Sequence, residues 1–200
     1  SPLNVYAYSK FLFDKYVRRM YDERTAPIVG LRYFNVYGDR EQHKGRMASV
    51  AFHFTHQYQE AGYVNLFEGI DGYENGAQLR DFVSVEDVVD LNLFLFANRA
   101  VSGIFNVGTG RCQSFNDVAV ATINRCRKEQ GAEALDLATL QNKNIIRYID
   151  FPEKLKGKYQ SFTEADISAL RAAGYTHKFL SVEEGVSRYV GRLLEKQQQS

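Results

Sequence analysis

The segment from Pro27 to Phe34, with the sequence PIVGLRYF, constrains the fold most strongly. Its apolar residues follow one another with little polar alternation, which is the pattern of a strand covered on both faces. Such strands belong to parallel sheets, so a parallel neighbour must come from elsewhere in the chain. One obvious candidate is present, around Ile104 to Val107. We therefore expect an α/β fold in which this chain supplies only part of a larger parallel sheet.

Helices and strands alternate along the rest of the chain, which is typical of α/β folds. The predicted helices cover about 4–19, 47–61, 84–98 and 114–129, with two final helices after Thr163 and Ser181, and the further strands cover 64–67, 79–85, 103–107 and 145–151. Gly62 and Gly131 are predicted helix terminators, and Ser84 and Ser114 are predicted helix caps. Loops are expected over 36–46, 69–78 and 152–160, while 132–144 shows no clear pattern.

Composition excludes several classes of protein. The chain has 25 basic and 24 acidic residues, so it has no broad electric field to attract nucleic acid or an anionic membrane. No apolar run approaches the roughly 20 residues of a membrane-spanning helix. Cys112 and Cys126 lack the spacing of metal ligands or of a disulfide framework. We therefore expect no metal site and a reducing, cytoplasmic location.

Tyr6 and Lys10 form the first candidate for chemistry. Residues four apart lie on one helix face, and a cation beside a phenol favours the phenolate, so the pair can move a proton on and off an alcohol. The spacing alone is a weak signal, because a chain of 200 residues with 13 tyrosines produces such pairs by chance. An ordinary solvated helix face remains the alternative.

Four blocks in a fixed order resemble the extended short-chain dehydrogenase/reductase family that acts on nucleotide sugars. They are YAYSK at 6–10, LRYFNVYG at 31–38, RDFVSVEDV at 80–88 and FNVGTG at 105–110. Within that family, HKGRMASVAFH at 43–53, LFEG at 66–69 and KGKYQ at 156–160 are similar to the ADP-L-glycero-D-manno-heptose 6-epimerases. The HKG block is the most discriminating of these.

The resemblance implies an NADP-dependent inversion at C6 of ADP-heptose, a sugar supplied to the lipopolysaccharide inner core. The carbon is oxidised to a ketone and then reduced on the opposite face. The two acid/base residues of the family fall on Tyr6 and Lys44, and the cofactor-contacting positions fall on Lys10, Val36 and Lys44. Judged by its sequence neighbourhood alone, Lys44 would belong to an ordinary charged, solvated loop.

The resemblance also implies a set of substrate-binding residues. These are Asn35, Arg46, His53, Phe67, Glu68, Gly69, Arg80 and Tyr159. Arg80 would bind the nucleotide diphosphate, because a planar guanidinium suits two-point contact with phosphate. For three of them a structural role stays open: Arg80 could pair with Asp81 or Asp87, His53 could be a satisfied, partly buried histidine, and Tyr159 could simply pack at a loop base.

The resemblance implies an organisation as well as a site. Residues 1–38 would be a remnant of the NADP-binding domain and 39–200 mainly a substrate-binding domain, with about 80–110 returning to the cofactor-binding sheet. The family's Gly-rich cofactor turn and its catalytic Ser/Thr belong before residue 1, so we expect the 200 residues alone to be inactive. A homo-oligomer, often a pentamer, is implied. Another nucleotide-sugar epimerase, a 4,6-dehydratase and a non-catalytic sugar-nucleotide-binding module remain alternatives.

Overall fold

The structure, a computed structural model, describes residues 5–157 and 159–198, in which helices and strands alternate. The α-helices of these residues are α1 (Val5–Arg19), α2 (Val50–Ala61), α3 (Val85–Ala97), α4 (Phe115–Glu129), α5 (Leu137–Asn142), α6 (Ser168–Ala172) and α7 (Val182–Gln198). The strands are β1 (Val29–Tyr33), β2 (Asn35–Tyr37), β3 (Val64–Phe67), β4 (Leu79–Arg80), β5 (Phe82–Ser84), β6 (Gly103–Val107), β7 (Gln113–Ser114) and β8 (Ile146–Ile149). Residue 4, predicted to begin the first helix, and Lys158 of the 156–160 block lie outside the described residues.

Within residues 5–157 and 159–198 the strands pair in four two-stranded sheets, three of them parallel. β1 runs parallel to β6, with Val29 opposite Gly103 and Tyr33 opposite Val107. β2 is parallel to β5 and β3 is parallel to β8, whereas β4 and β7 are antiparallel. The predicted α/β fold class and the predicted pairing of 27–34 with 104–107 are therefore confirmed.

Two apolar cores hold these elements together. The larger lies among α2, α4, α7 and the β3–β8 pair, and Ile123 and Val186 at its centre are fully buried. The smaller lies between the β1–β6 pair and α3, where Val107 and Leu91 are fully buried. Full burial of one such side chain contributes about 1.5–3 kcal/mol. The smaller core also takes side chains from 167–179, and the predicted domain division at residue 38 stays a prediction.

The first helix stands apart from both cores. α1 buries none of its residues, and its clearest tie to the sheet is the ion pair of Asp14 with Arg32 on β1. Among the described residues, β6 is the one strand that pairs with β1. This agrees with the expectation that the chain contributes part of a larger sheet.

Several predicted boundaries are wrong, each for a physical reason. The predicted strand 79–85 is two short strands, β4 and β5, because residues 79–80 pair with β7 and residues 82–84 pair with β2. The predicted loop 36–46 contains part of β2 and a 3-10 segment, Gln42–Met47. α2 begins at Val50, not at 47, because Ser49 caps it by accepting from the Phe52 N–H. Thr163 caps no helix, because α6 begins only at Ser168 and the Thr163 hydroxyl is buried without a hydrogen-bond partner.

Other local signals are confirmed. Gly62 ends α2 with a left-handed φ of 76°. Ser114 caps α4 in a reciprocal pair with Asp117. Ser84 caps α3 by accepting from the Glu86 N–H. None of the helices in the described part of the chain is both long and apolar enough to cross a membrane.

Candidate active site

The carboxyl ends of β1 and β6 lead into the predicted site. The Phe34 N–H donates to the carbonyl of Val107 at 3.0 Å, so the two strand ends stay in register as the chain enters β2. Asn35 is exposed and Val36 is half-buried, and the Asn35 N–H donates to the carbonyl of Asp81 at 3.0 Å. In parallel α/β sheets ligands bind beyond the carboxyl ends of the strands. The exposed Asn35 side chain is therefore available to a ligand at this edge.

Tyr6 and Lys10 lie together on α1, as their spacing predicts. The Lys10 ammonium nitrogen is 5.3 Å from the centre of the Tyr6 ring, and Tyr6 is 71% exposed. The phenol and the ammonium thus share one open helix face. Their chemical roles stay predictions.

Lys44 lies in the 3-10 segment between β2 and α2, together with Arg46. No residue of this segment is buried, and Gly45 adopts a left-handed φ of 52° where the segment kinks. The Lys44 ammonium is 3.9 Å from a carboxylate oxygen of Glu41. No hydrogen bond or ion pair of the described residues joins Lys44 to Tyr6 or Lys10, so their meeting across a substrate stays a prediction.

Arg80 is the most informative of the predicted binding residues. It is 7% exposed, and its guanidinium donates to the neighbouring carbonyl of Leu79 at 2.9 Å. It forms no ion pair with a carboxylate anywhere in 5–157 or 159–198. A buried cation without a counter-charge is costly, by several kcal/mol in principle. The site is therefore suited to an anion.

The alternative partners of Arg80 are engaged elsewhere. Asp81 is fully buried, and its carboxylate accepts from Thr109, Gly110 and Ala165 at 2.7–3.1 Å. Asp87 accepts from the Leu180 N–H at 3.0 Å. The side chain of Asp81 thus ties the RDF block to the NVGTG block and provides no counter-charge to Arg80.

An aromatic wall adjoins Arg80. Its guanidinium carbon is 4.7 Å from the centre of the Tyr159 ring, a cation–π distance. Tyr159 packs edge-on against Phe151 at 5.1 Å, and Phe151 packs edge-on against Phe67 at 5.5 Å. Burial raises the pKa of Tyr159, against the opposing effect of the Arg80 guanidinium, so its hydroxyl stays protonated. Phe67, Tyr159 and Arg80 are thus brought together, as expected for one binding surface.

Three further predicted binding residues are Glu68, Gly69 and His53, and each has a different local environment. Glu68 is exposed at the end of β3. A Cβ on Gly69 would lie 2.0 Å from the carbonyl oxygen of Tyr73, so glycine is required where the 69–76 loop folds back. His53 is half-buried on α2 and packs edge-on against Phe52 at 5.7 Å. Contact of these residues with substrate stays a prediction.

Two residues that the sequence did not single out belong to this region. Phe151 joins Phe67 to Tyr159, and Glu41 is a buried carboxylate at the base of the Lys44 segment. A charged residue in a polar loop carries no local signal of burial, so Glu41 could not have been found from sequence. In the described ranges no group of three His, Cys, Asp or Glu side chains is placed to hold a metal ion.

The first half of the chain matches a known protein family. The model of the NAD dependent epimerase/dehydratase family matches residues 1–108. The chain is 68% identical over 195 residues to an ADP-L-glycero-D-manno-heptose-6-epimerase of Thiobacillus denitrificans (strain ATCC 25259 / T1), covering 98% of this chain and 59% of that relative. The chain therefore spans well under two thirds of the curated relative that it matches.

Solved structures agree in fold. A crystal structure of the Helicobacter pylori ADP-L-glycero-D-manno-heptose-6-epimerase superposes with a TM-score of 0.73 at 29% identity, covering 97% of this chain and 52% of that one. A UDP-glucose 4-epimerase of Thermus thermophilus, solved with NAD, superposes with a TM-score of 0.67 at 24% identity, covering 95% and 54%. The second likeness shows the fold alone.

Proposed function

Because this chain belongs to the NAD dependent epimerase/dehydratase family, we propose that it is part of an enzyme that converts ADP-D-glycero-D-manno-heptose to ADP-L-glycero-D-manno-heptose by inversion at C6. The proposal includes NADP as cofactor, a homo-oligomeric assembly, a pentamer by family resemblance, and supply of the sugar to the lipopolysaccharide core. It also includes a cytoplasmic location, since a reducing compartment suits the free thiols of Cys112 and Cys126.

The observation that carries the proposal is the buried, uncompensated guanidinium of Arg80 beside an aromatic wall. A nucleoside diphosphate has both of the groups that such a surface recognises. Its phosphates offer the anion that Arg80 lacks, and its base offers a flat face for aromatic side chains such as Phe67 and Tyr159. The similarity of the HKGRMAS block to heptose epimerases favours ADP-heptose over the substrates of other epimerases and dehydratases.

The described residues fit one end of a nicotinamide dinucleotide. Tyr6 and Lys10 present a hydroxyl and an ammonium on an exposed helix face, and Val36 lies at the carboxyl end of the sheet, where the family places the nicotinamide. Lys10, Val36 and Lys44 would hold that end. The bound cofactor supplies the hydride acceptor and, in the return step, the hydride donor.

The chain's own residues would handle protons. Oxidation of the C6 alcohol needs a group that accepts the hydroxyl proton, and reduction of the ketone needs a group that returns one. Tyr6 and Lys44 fill these two roles from opposite faces of the carbon, while Lys10 lies beside Tyr6 on the same helix face. Asn35, Arg46, His53, Glu68 and Gly69 would contact the sugar and nucleotide, with Arg80 fixing the diphosphate.

The test uses the longest natural polypeptide that contains these residues, with turnover of ADP-heptose followed by NMR. Tyr6→Phe and Lys44→Met should each lower kcat by about 10²–10⁴-fold, the usual contribution of a positioned acid or base. Tyr8→Phe and Lys128→Met serve as matched controls, because both residues are exposed and neither is assigned to the site. Wild-type rates in both Tyr6→Phe and Lys44→Met would refute the proposed function.

The role of Arg80 has a separate test that needs no turnover. Arg80→Met should weaken binding of ADP, measured by calorimetry, by about 10–100-fold, since a hydrogen bond to a charged group contributes about 1.5–3 kcal/mol. Arg111→Met, a change at an exposed residue on a neighbouring loop, is the control. Equal ADP affinity in wild type and Arg80→Met would show that this guanidinium does not bind the diphosphate.

A further inference from the structure

Glu41 is a loop carboxylate that is almost completely buried. It lies in the connection between β2 and α2 and is 2% exposed, although glutamates are rarely buried unless they are paired. One of its oxygens accepts from the hydroxyls of Ser49, at 2.6 Å, and Tyr189, at 2.9 Å. The other accepts from the Ser49 N–H at 2.8 Å and lies 3.9 Å from the Lys44 ammonium. Three donors and one cation thus surround a single carboxylate.

These contacts close the segment that carries Lys44. Glu41 precedes the segment and Ser49 follows it, so their two hydrogen bonds join its ends. The Lys44 N–H also donates to the Glu41 carbonyl at 2.9 Å. Because none of Gln42–Met47 is buried, packing does little to restrain the segment, and the Glu41 bonds are its main restraint.

The far side of Glu41 is equally fixed. Tyr189 is 1% exposed within the larger core and belongs to α7. Asp39, two residues earlier, pairs with Arg192 and Lys196 of the same helix. The Lys44 segment therefore rests on α7 through a buried hydrogen bond and a more exposed ionic contact.

We infer that Glu41 is a positioning residue for Lys44, which both closes the segment 41–49 on α7 and holds the ammonium of Lys44 in place. The inference rests on the proposed function, in which Lys44 exchanges a proton with the substrate. Glu41 itself does not touch the reacting carbon. Its effect on turnover passes through the placement of Lys44, and small misplacements of a reacting group are costly to rate.

Two substitutions separate the charge from the anchor. Glu41→Gln keeps the shape and the capacity to hydrogen-bond Ser49 and Tyr189 but removes the charge that faces Lys44. Glu41→Ala removes both. Asp87→Asn is the matched control, because Asp87 is a similarly buried carboxylate, 3% exposed, that bonds to Leu180 and not to the Lys44 segment.

The experiment measures kcat and KM by NMR in the longest natural polypeptide that contains the chain, together with thermal unfolding. Glu41→Gln should lower kcat by about 10–100-fold with little change in KM or melting temperature, whereas Asp87→Asn should leave kcat unchanged. In a Lys44→Met background, Glu41→Gln should cause no further loss. A Glu41→Gln enzyme with wild-type kcat, or a further loss of the same size in the Lys44→Met background, would overturn the inference.

A second readout does not depend on turnover. Hydrogen exchange followed by mass spectrometry should show faster exchange across 42–49 in Glu41→Ala and unchanged exchange there in Asp87→Asn. If Glu41→Ala does not fold, Tyr189→Phe removes one donor and should produce a smaller change in the same direction. Unchanged exchange in these Glu41 and Tyr189 variants would overturn the anchoring role. If Lys44→Met itself keeps full activity, the acid/base role of Lys44 in the proposed function fails first, and the exchange result still decides the anchoring role of Glu41.

Discussion

Substitution of Asp81 is expected to lower the stability of the fold. It is fully buried, and each carboxylate oxygen accepts two hydrogen bonds: one from the N–H and the hydroxyl of Thr109, the other from the N–H groups of Gly110 and Ala165. Asp81→Asn keeps the volume but replaces one oxygen with an NH₂ group. With the NH₂ group toward Thr109, one fixed N–H faces another donor, because the Thr109 hydroxyl can rotate to accept. With the NH₂ group toward Gly110 and Ala165, two fixed N–H groups do.

The size of the effect follows from these contacts. A hydrogen bond to a charged group contributes about 1.5–3 kcal/mol, so losing one of them in the more favourable amide orientation predicts a loss of about 1.5–3 kcal/mol in the free energy of unfolding. A domain has only about 5–15 kcal/mol in total. For a chain of this length the loss corresponds to a fall in melting temperature of about 3–12 °C, at about 2–4 °C per kcal/mol.

Circular dichroism and tyrosine fluorescence can follow the unfolding, since the chain contains no Trp and 13 Tyr. Asp136→Asn is the control. Asp136 caps α5 by accepting from the Thr139 N–H, and Asn caps helices as well as Asp does, so this change should be nearly neutral. One ordinary hydrogen bond contributes about 1 kcal/mol. A loss of unfolding free energy below this value in Asp81→Asn would refute the reasoning that the carboxylate joins its own strand region to Thr109, Gly110 and Ala165.

Three further predictions concern stability and reactivity. Leu91→Ala should lower the free energy of unfolding, measured in urea, by about 2–5 kcal/mol because Leu91 is fully buried. Leu93→Ala, at a position 62% exposed in the same helix, should change it by no more than about 0.5 kcal/mol. Equal losses in the two variants would contradict the packing of α3. Partial burial opposes ionisation of Asp39, but the basic side chains of α7 hold its pKa below the usual range. The contribution of Asp39 to stability is therefore present above its ordinary pKa of about 4 and is lost as the pH falls through its lower pKa in the folded state. Asp39→Asn should then reduce the fall in stability at acid pH. An unchanged fall would contradict the pairing of Asp39 with Arg192 and Lys196. Burial and a neighbouring carboxylate raise the pKa of the Cys112 thiol to about 11, so alkylation should be slow at neutral pH and rise about tenfold per pH unit toward that value; a fast neutral reaction would contradict this environment.

Local pattern predicted much of the fold. The lack of polar alternation at 27–34 correctly indicated a parallel strand, and its pairing with 103–107 followed from the single suitable neighbour. Gly62 and Ser114 marked helix ends correctly because their signals are local: a left-handed residue ends one helix and a capped N-terminus begins the other.

Long-range bonds explain what pattern missed. The alternation of 79–85 does not reveal that the Asp81 side chain binds residues 28 and 84 positions later, which divides one predicted strand into two. Thr163 has the side chain of a helix cap, but its N–H bonds to Leu79, and α6 begins only at Ser168.

Some features of the candidate site could be predicted from sequence and others could not. The neighbouring placement of Tyr6 and Lys10 followed from helical periodicity alone. The contact of Arg80 with Tyr159 joins residues nearly 80 positions apart and required the resemblance to suggest it. The burial of Glu41 was beyond either approach, because it depends on a hydroxyl contributed by α7.

The bond between Glu41 and Tyr189 spans 148 residues of sequence. On the ribosome, the segment that carries Lys44 is therefore made long before the helix on which it rests. A nascent chain that lacks α7 cannot form the hydrogen bond between Glu41 and Tyr189, even if the earlier strands and helices have already formed. The contact that fixes the Lys44 segment to α7 can therefore form only after translation has passed Tyr189.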